Sequence, residues 1–168
     1  MEEVIKRAIL GNEKAFEKLM LHYLQDIYSY LKVKVNNEAD IKDLIQDIML
    51  AVYKGIKKFE FTSTFKTWVL AISRYKIADY YRNKYADIST VPIEECPNIT
   101  SSENHDTLNI NEVLELLPDD EKELLNLVFI QQCSYKEVAQ IMEVPVGTIK
   151  SRMFYLKEKL KPVLESWR

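Results

Sequence analysis

Between positions 146 and 152 the chain gathers Val146, Gly147, Thr148, Lys150, Ser151 and Arg152. Two hydroxyls can hydrogen-bond phosphates or base edges, a lysine can neutralise a phosphate, and a guanidinium can grip guanine through paired N–H bonds. That last contact supplies about 1–3 kcal/mol of discrimination between bases. Gly147 is the odd member, since glycine inside a helix costs about 1 kcal/mol relative to alanine. Close approach of another backbone, or of a nucleic acid, would offset that loss. Nothing comparable serves bond-making chemistry. The sequence has no Gly-rich phosphate loop and no metal-spaced His/Cys/Asp set. Its two histidines are His22, in an apolar helical pattern, and His105, in a polar stretch. These features argue against an enzyme, and against a cofactor, a metal or a small-molecule substrate. Cys96 and Cys133 fit no ligand or disulfide pattern and read as reduced thiols.

The elements around the 146–152 set explain how it would be presented. Ser134-Tyr135-Lys136-Glu137 is a capping box, with Ser at the N-cap and Glu three residues on. The short helix that follows buries Val138, Ile141 and Met142. Pro145 then suits the first turn of a last helix, where its missing N–H does no harm. That helix turns Ile149, Met153, Leu156 and Leu160 inward and Lys150, Arg152, Lys157, Lys159 and Lys161 outward. A short capped helix, a tight turn and a basic second helix make a helix-turn-helix over residues 134–161. Upstream, Pro118-Asp119-Asp120 starts a helix through Leu124, Leu125, Val128 and Phe129.

The N-terminal lobe reads as three or four helices. Asn12 caps one carrying Phe16, Leu19, Met20, Tyr23, Leu24, Ile27 and Leu31. After Asn36-Asn37, a second places Ile41, Leu44, Ile45, Ile48, Val52 and Ile56 on one stripe, with Asp40, Asp43 and Asp47 opposite and Gln46 nearby. A loop over 59–64 follows, with Ser63 or Thr64 capping a helix from about Phe65 to Lys84. Residues 87–109 contain Pro92, Pro97 and clustered Ser, Thr and Asn without apolar periodicity, as a linker does. Its r.m.s. span would be roughly 25 Å, and about 75 Å fully extended. The two lobes are then expected to be loosely joined and not held in register. The chain is therefore expected to be all-α: a domain over 1–86, a flexible acidic linker over 87–109, and a helix-turn-helix domain over 110–168.

Charge follows the same division. The net charge is -3 over 168 residues. Residues 1–84 carry 15 Lys/Arg against 11 Asp/Glu, residues 85–121 carry 10 acids and no base, and residues 122–168 carry 8 bases against 5 acids. Two mildly basic lobes flank an acidic segment, which reconciles an acidic chain with a nucleic-acid partner. The Met1-Glu2-Glu3 start does not resemble a signal peptide, and no apolar window approaches the ~18 residues of a membrane span. A cytoplasmic protein without membrane insertion is expected.

The run Ser134-Tyr135-Lys136-Glu137-Val138-Ala139, with Val144-Pro145-Val146-Gly147-Thr148-Ile149-Lys150-Ser151-Arg152, closely resembles the C-terminal DNA-binding domain of extracytoplasmic-function sigma factors of bacterial RNA polymerase. Leu117-Pro118 matches that family too. Gly11-Asn12-Glu13-Lys14-Ala15-Phe16-Glu17-Lys18-Leu19 resembles its opening helix, and Asp43-Leu44-Ile45-Gln46-Asp47 its polymerase-binding helix. Phe65-Lys66-Thr67-Trp68, followed by Asp79-Tyr80-Tyr81-Arg82, resembles its promoter-melting helix. The resemblance implies a subunit that joins core RNA polymerase and directs transcription of a stress or envelope regulon, held by an anti-sigma partner.

It also implies site residues. Asp43, Leu44, Gln46 and Asp47 would dock on polymerase. The loop of Glu60, Phe61, Thr62, Ser63 and Thr64 would take a flipped base of the downstream promoter element. Lys66, Arg74, Lys76, Arg82 and Lys84, with Tyr75, Tyr80 and Tyr81, would hold the melted strand by charge and stacking. Trp68 belongs to the core stripe. Thr148, Lys150, Ser151, Arg152, Tyr155 and Lys157 would read the upstream element. The linker acids, Asp87, Glu94, Glu95, Glu103 and Asp106 among them, would mimic nucleic acid in a polymerase channel. The chain departs from the family at Tyr75, where Asn is usual, and at Glu143, where Gly is usual, so a different backbone path is expected at that turn. Fewer arginines at Tyr155 and Lys157 imply a weaker or differently read upstream element. A two-domain repressor or activator would explain the C-terminal half equally well, but not residues 43–47 or 65–68. An adaptor bundle would show no salt-sensitive DNA affinity.

Overall fold

The computed structural model describes residues 1–86, 114 and 116–165, apart from the side chains at 163 and 164, so the segment expected to be the linker lies outside them. The described residues are helical, in two lobes. α1 (Glu2–Ile9) packs on α2 (Glu13–Lys32) through a reversal at Gly11, whose φ of +90° only glycine adopts cheaply. Asn12 caps α2 by accepting from Ala15 N at 2.9 Å. Asn37 caps α3 (Glu38–Gly55) by accepting from Ala39 N at 2.8 Å and Asp40 N at 3.2 Å. A 3-10 turn (Ile56–Lys58) and the loop 59–64 lead into α4 (Phe65–Ala86). Thr64, the second of the two cap candidates, accepts from Thr67 N at 3.1 Å.

The apolar stripes expected from spacing form the core. Leu19, Ile27, Leu31, Ile41, Ile48 and Val52 are fully buried against Val69 and Leu70. Trp68 packs on Phe59 and Phe65, with ring centroids 5.3 and 5.5 Å away. Its ring also lies so close to Gly55 that an added methyl there would meet it at 3.3 Å.

In the C-terminal lobe, α5 (Asp119–Leu125) opens with Asp119, Asp120 and Glu121, acids well placed at a helix N-terminus. It continues into a π-helical turn (Asn126–Ile130), closed by Gln131 N donating to Asn126 O at 2.8 Å. The wider turn shifts the phase of the stripe. Leu124 and Leu127 are buried, while Phe129, expected inward, is 56% exposed. α6 (Tyr135–Met142) carries the full capping box, with Ser134 N donating to Glu137 at 2.9 Å and Glu137 N to Ser134 Oγ at 3.3 Å. α7 (Val146–Glu165) buries Ile149, Met153, Leu156 and Leu160 as its spacing demands. The turn between them does not take a different path. Glu143 sits at φ 57° and ψ 42°, the left-handed conformation glycine would supply, so here a residue with a Cβ bears that strain.

The lobes are not loosely related. α4 packs along α6, and α2 meets the π turn. One apolar cluster runs through both lobes, and polar contacts from residues that sequence periodicity does not mark join across the same face. Gln131 Nε2 donates to Asp26 O at 3.1 Å and to Ser29 Oγ at 2.8 Å, and Asn126 Nδ2 donates to Ser29 O at 3.3 Å.

Candidate nucleic-acid interface

α7 presents its polar set outward. Lys150, Ser151, Arg152, Tyr155 and Lys157 are exposed, and Thr148 is half-buried. The first turn is closed by Thr148 N donating to Pro145 O at 2.9 Å. Ser151 Oγ donates to Thr148 O at 3.0 Å, which leaves its lone pairs rather than its proton facing outward. Arg152 is only loosely tethered, 3.9 Å from Asp120. A methyl at Gly147 would meet nothing within 4 Å. Of the two reasons for a glycine there, close approach of the protein's own backbone is therefore removed. Sequence reasoning passed over Phe154, 61% exposed and edge-on to Tyr155 at 5.6 Å. The signal was present, because Phe154 falls between the buried positions Met153 and Leu156.

In the N-terminal lobe, α3 and α4 enclose a cleft of about 590 Å³ in which Asp40, Asp43 and Asp47 face Asp79, Tyr80 and Lys84. Gln46 is exposed on the same helix. Leu44, expected both on the apolar stripe and at the docking face, is 5% exposed, lines the cleft and belongs to the core. The loop 59–64 exposes Glu60, Phe61, Thr62 and Thr64, with Ser63 half-buried. Phe61 takes φ 57° and rests on Phe59 at 4.9 Å.

The residues expected to hold a melted strand divide. Arg82 is exposed and, among the described residues, pairs with Asp79 at 2.7 Å. Tyr80 Oη donates to Asp40 at 2.5 Å at the edge of the cleft, and Tyr81 Oη donates to Lys34 O, so both hydroxyls are engaged within the lobe. Three others, Lys66, Arg74 and Tyr75, turn to the C-terminal lobe, together with Thr64 of the loop and Thr67. Lys66 pairs with Asp26 at 3.1 Å and donates to Gln131 O at 2.9 Å. Thr64 Oγ1 donates to Glu137 at 3.1 Å, as does Thr67 Oγ1. Tyr75 Oη donates to Glu143, which raises its phenol pKa. Arg74 Nε reaches Glu123 at 3.2 Å. Burial alone would raise Glu137, but hydrogen bonds from Ser134, Thr67 and Thr64 outweigh it and hold the carboxyl below its usual range. Cys133 is buried in the same region; desolvation, then the Glu137 charge, pushes its thiol to about 11.

Sequence comparison places this geometry among known proteins. The profile for Sigma-70 region 2 matches residues 19–86, and that for Sigma-70, region 4 matches residues 107–160. The chain is 27% identical to the ECF RNA polymerase sigma-E factor of Escherichia coli (strain K12), over 96% of this chain and 94% of that protein. It is 23% identical to the RNA polymerase sigma-H factor of Pseudomonas aeruginosa, over 98% and 93%. Among solved structures, the sigma factor RpoE in complex with the anti-sigma factor NepR from Bartonella quintana superposes with a TM-score of 0.70 at 24% identity, covering 92% of this chain and 99% of that one. CnrH in complex with the cytosolic domain of CnrY gives 0.69 at 20% identity, covering 97% and 96%.

Proposed function

The chain is an extracytoplasmic-function sigma factor, a subunit that directs promoter-specific transcription initiation and is not itself an enzyme, and from that premise we propose how its surfaces divide the work. α7 reads the upstream promoter element, with Arg152 and Lys150 at base edges or phosphates and Thr148, Ser151, Tyr155 and Lys157 around them. The observation that carries this half is Gly147, open on the side where a methyl would sit and flanked by exposed cations. DNA approaching that side gives the glycine its physical reason. The acidic α3 face with Asp43, Gln46 and Asp47 docks on a basic helical part of core polymerase, Leu44 supporting it from beneath. The loop 60–64 takes an unpaired base of the downstream element, and Lys66, Arg74, Tyr75 and Arg82 hold the strand beyond it.

No helix among the described residues is long and apolar enough to cross a membrane. Work on DNA with polymerase assigns the chain to the cytoplasm. The RpoE structure was solved with the anti-sigma factor NepR, which supports an anti-sigma protein here. The test combines purified protein with sigma-free core polymerase and a genomic template library, followed by transcript sequencing. Starts that share a two-element promoter are expected. DNA binding without initiation would favour a repressor, and the lack of a stable core complex would sink the assignment.

A further inference from the structure

Among the described residues, the lobe interface holds one buried carboxylate. Glu123 of α5 is 2% exposed, and three donors converge on it: Tyr30 Oη at 2.5 Å, Lys34 Nζ at 3.0 Å and Arg74 Nε at 3.2 Å. All three belong to the N-terminal lobe. Without Glu123 that lobe would keep a hydroxyl, an ammonium and a guanidinium aimed at one point, the donor set of a phosphate site. Tyr30 is 1% exposed, and burial together with Glu123 drives its phenol pKa well up, so it remains a donor. Lys34 and Arg74 keep 13% and 36% of their side-chain exposure. Both can rehydrate when the carboxylate leaves, so no charge is stranded in the interior.

We propose that Tyr30, Lys34 and Arg74 form an anion pocket for a backbone phosphate of the unpaired promoter strand, and that Glu123 fills it in the free chain as a substitute anion. The inference rests on the reading that the N-terminal lobe holds melted promoter, and it adds Tyr30 and Lys34 to the contacts. The closed arrangement also engages Thr64, Lys66 and Tyr75, so closure and strand binding exclude each other. Exchanging carboxylate for phosphate swaps one anion for another and preserves the pairing of Lys34 and Arg74. The interface is suited to release: Asn126 Oδ1 and Gln131 Oε1 are buried in it without a hydrogen-bond donor, a penalty that opening removes.

The test uses the full chain as wild type, Glu123→Gln and Glu123→Gln/Lys34→Gln. Small-angle scattering reports opening, and binding of oligo-dT across a salt series reports the pocket. Glu123→Gln is expected to expand the particle and to raise oligo-dT affinity at least tenfold. Its log–log salt slope should steepen by about 0.7 for each added phosphate contact. Adding Lys34→Gln should cancel the affinity gain while the particle stays expanded. An expanded Glu123→Gln protein that binds no tighter, or a gain that survives Lys34→Gln, overturns the pocket. Unchanged size and affinity overturn Glu123 as its occupant. A second arm leaves Glu123 intact: core-bound Lys34→Gln should lose about 0.7 of slope on a premelted promoter, and an unchanged slope overturns the pocket as well. Oligo-dT carries no promoter sequence. Lost sequence preference on the premelted promoter would therefore count against the downstream-element reading alone.

Discussion

At Gly147 the backbone is helical and the space beside it is empty. Substitution by alanine should therefore help the free protein and hurt the complex. Gly147→Ala is expected to stabilise α7 by about 1 kcal/mol, raising the melting midpoint of a small lobe by about 4–8 °C. The same methyl should weaken binding to the upstream element. Calorimetry and a DNA titration on one preparation read both effects, and tighter DNA binding would contradict the role given to that side of the helix. Arg152 offers a complementary measurement. With only a 3.9 Å approach to Asp120 to give up, Arg152→Ala should lose about 1–3 kcal/mol of upstream affinity if it contacts a base. The loss should appear as relaxed preference at one base position. A uniform loss across sequences would instead mark it as a phosphate contact.

Among the elements, α6 shows how one side chain serves two levels of structure. Glu137 completes the capping box of its own helix and accepts from Thr64 and Thr67 on the other lobe. Its carboxyl is held below the usual range, so the folded state prefers the ionised form. The resulting stability is fully present above the unfolded carboxyl value of about 4.3 and is lost as pH falls through the lower folded value. Melting midpoints across that acid range should therefore drop in the wild type, and Glu137→Gln should flatten the drop. An equally steep acid limb in the variant would assign the effect to other carboxyls. α3 makes the matching case for charge at a surface. Asp43 and Asp47 line an open cleft and take no part in the core. Asp43→Asn/Asp47→Asn should leave thermal stability unchanged within about 0.5 kcal/mol. It should weaken core polymerase binding in a salt-dependent manner, as pull-down over a salt series would show.

For the molecule as a whole, the decisive feature is that the lobes meet through hydrogen bonds and ion pairs drawn from α2, α4, α5, the π turn and α6. Cys133 provides a native reporter, because burial and Glu137 hold its thiol near 11 while Asp26 and Lys66 of the other lobe act on it. In a Cys96→Ser background, alkylation at pH 8 should run at least about a hundredfold below the rate of an exposed thiol. Core polymerase should accelerate it by parting the lobes. A fast reaction in the free chain would show that the closed arrangement is not the resting one.

The helices, their caps and their inward stripes were legible in the sequence, because caps and 3.6-residue spacing act over one or two turns. Asn12, Ser134 and Ile149 each stand where local rules put them. The helix-turn-helix and its exposed face followed from the same rules. Phe129 did not, since a π turn is a tertiary compromise that spacing cannot announce. The convergence of Tyr30, Lys34 and Arg74 on Glu123 was equally hidden. These residues are far apart along the chain, and only the docking of one lobe on the other gives four unremarkable polar side chains a common point. Local physics thus determined what each lobe is made of, while tertiary packing decided which of its functional groups face DNA and which face the protein itself.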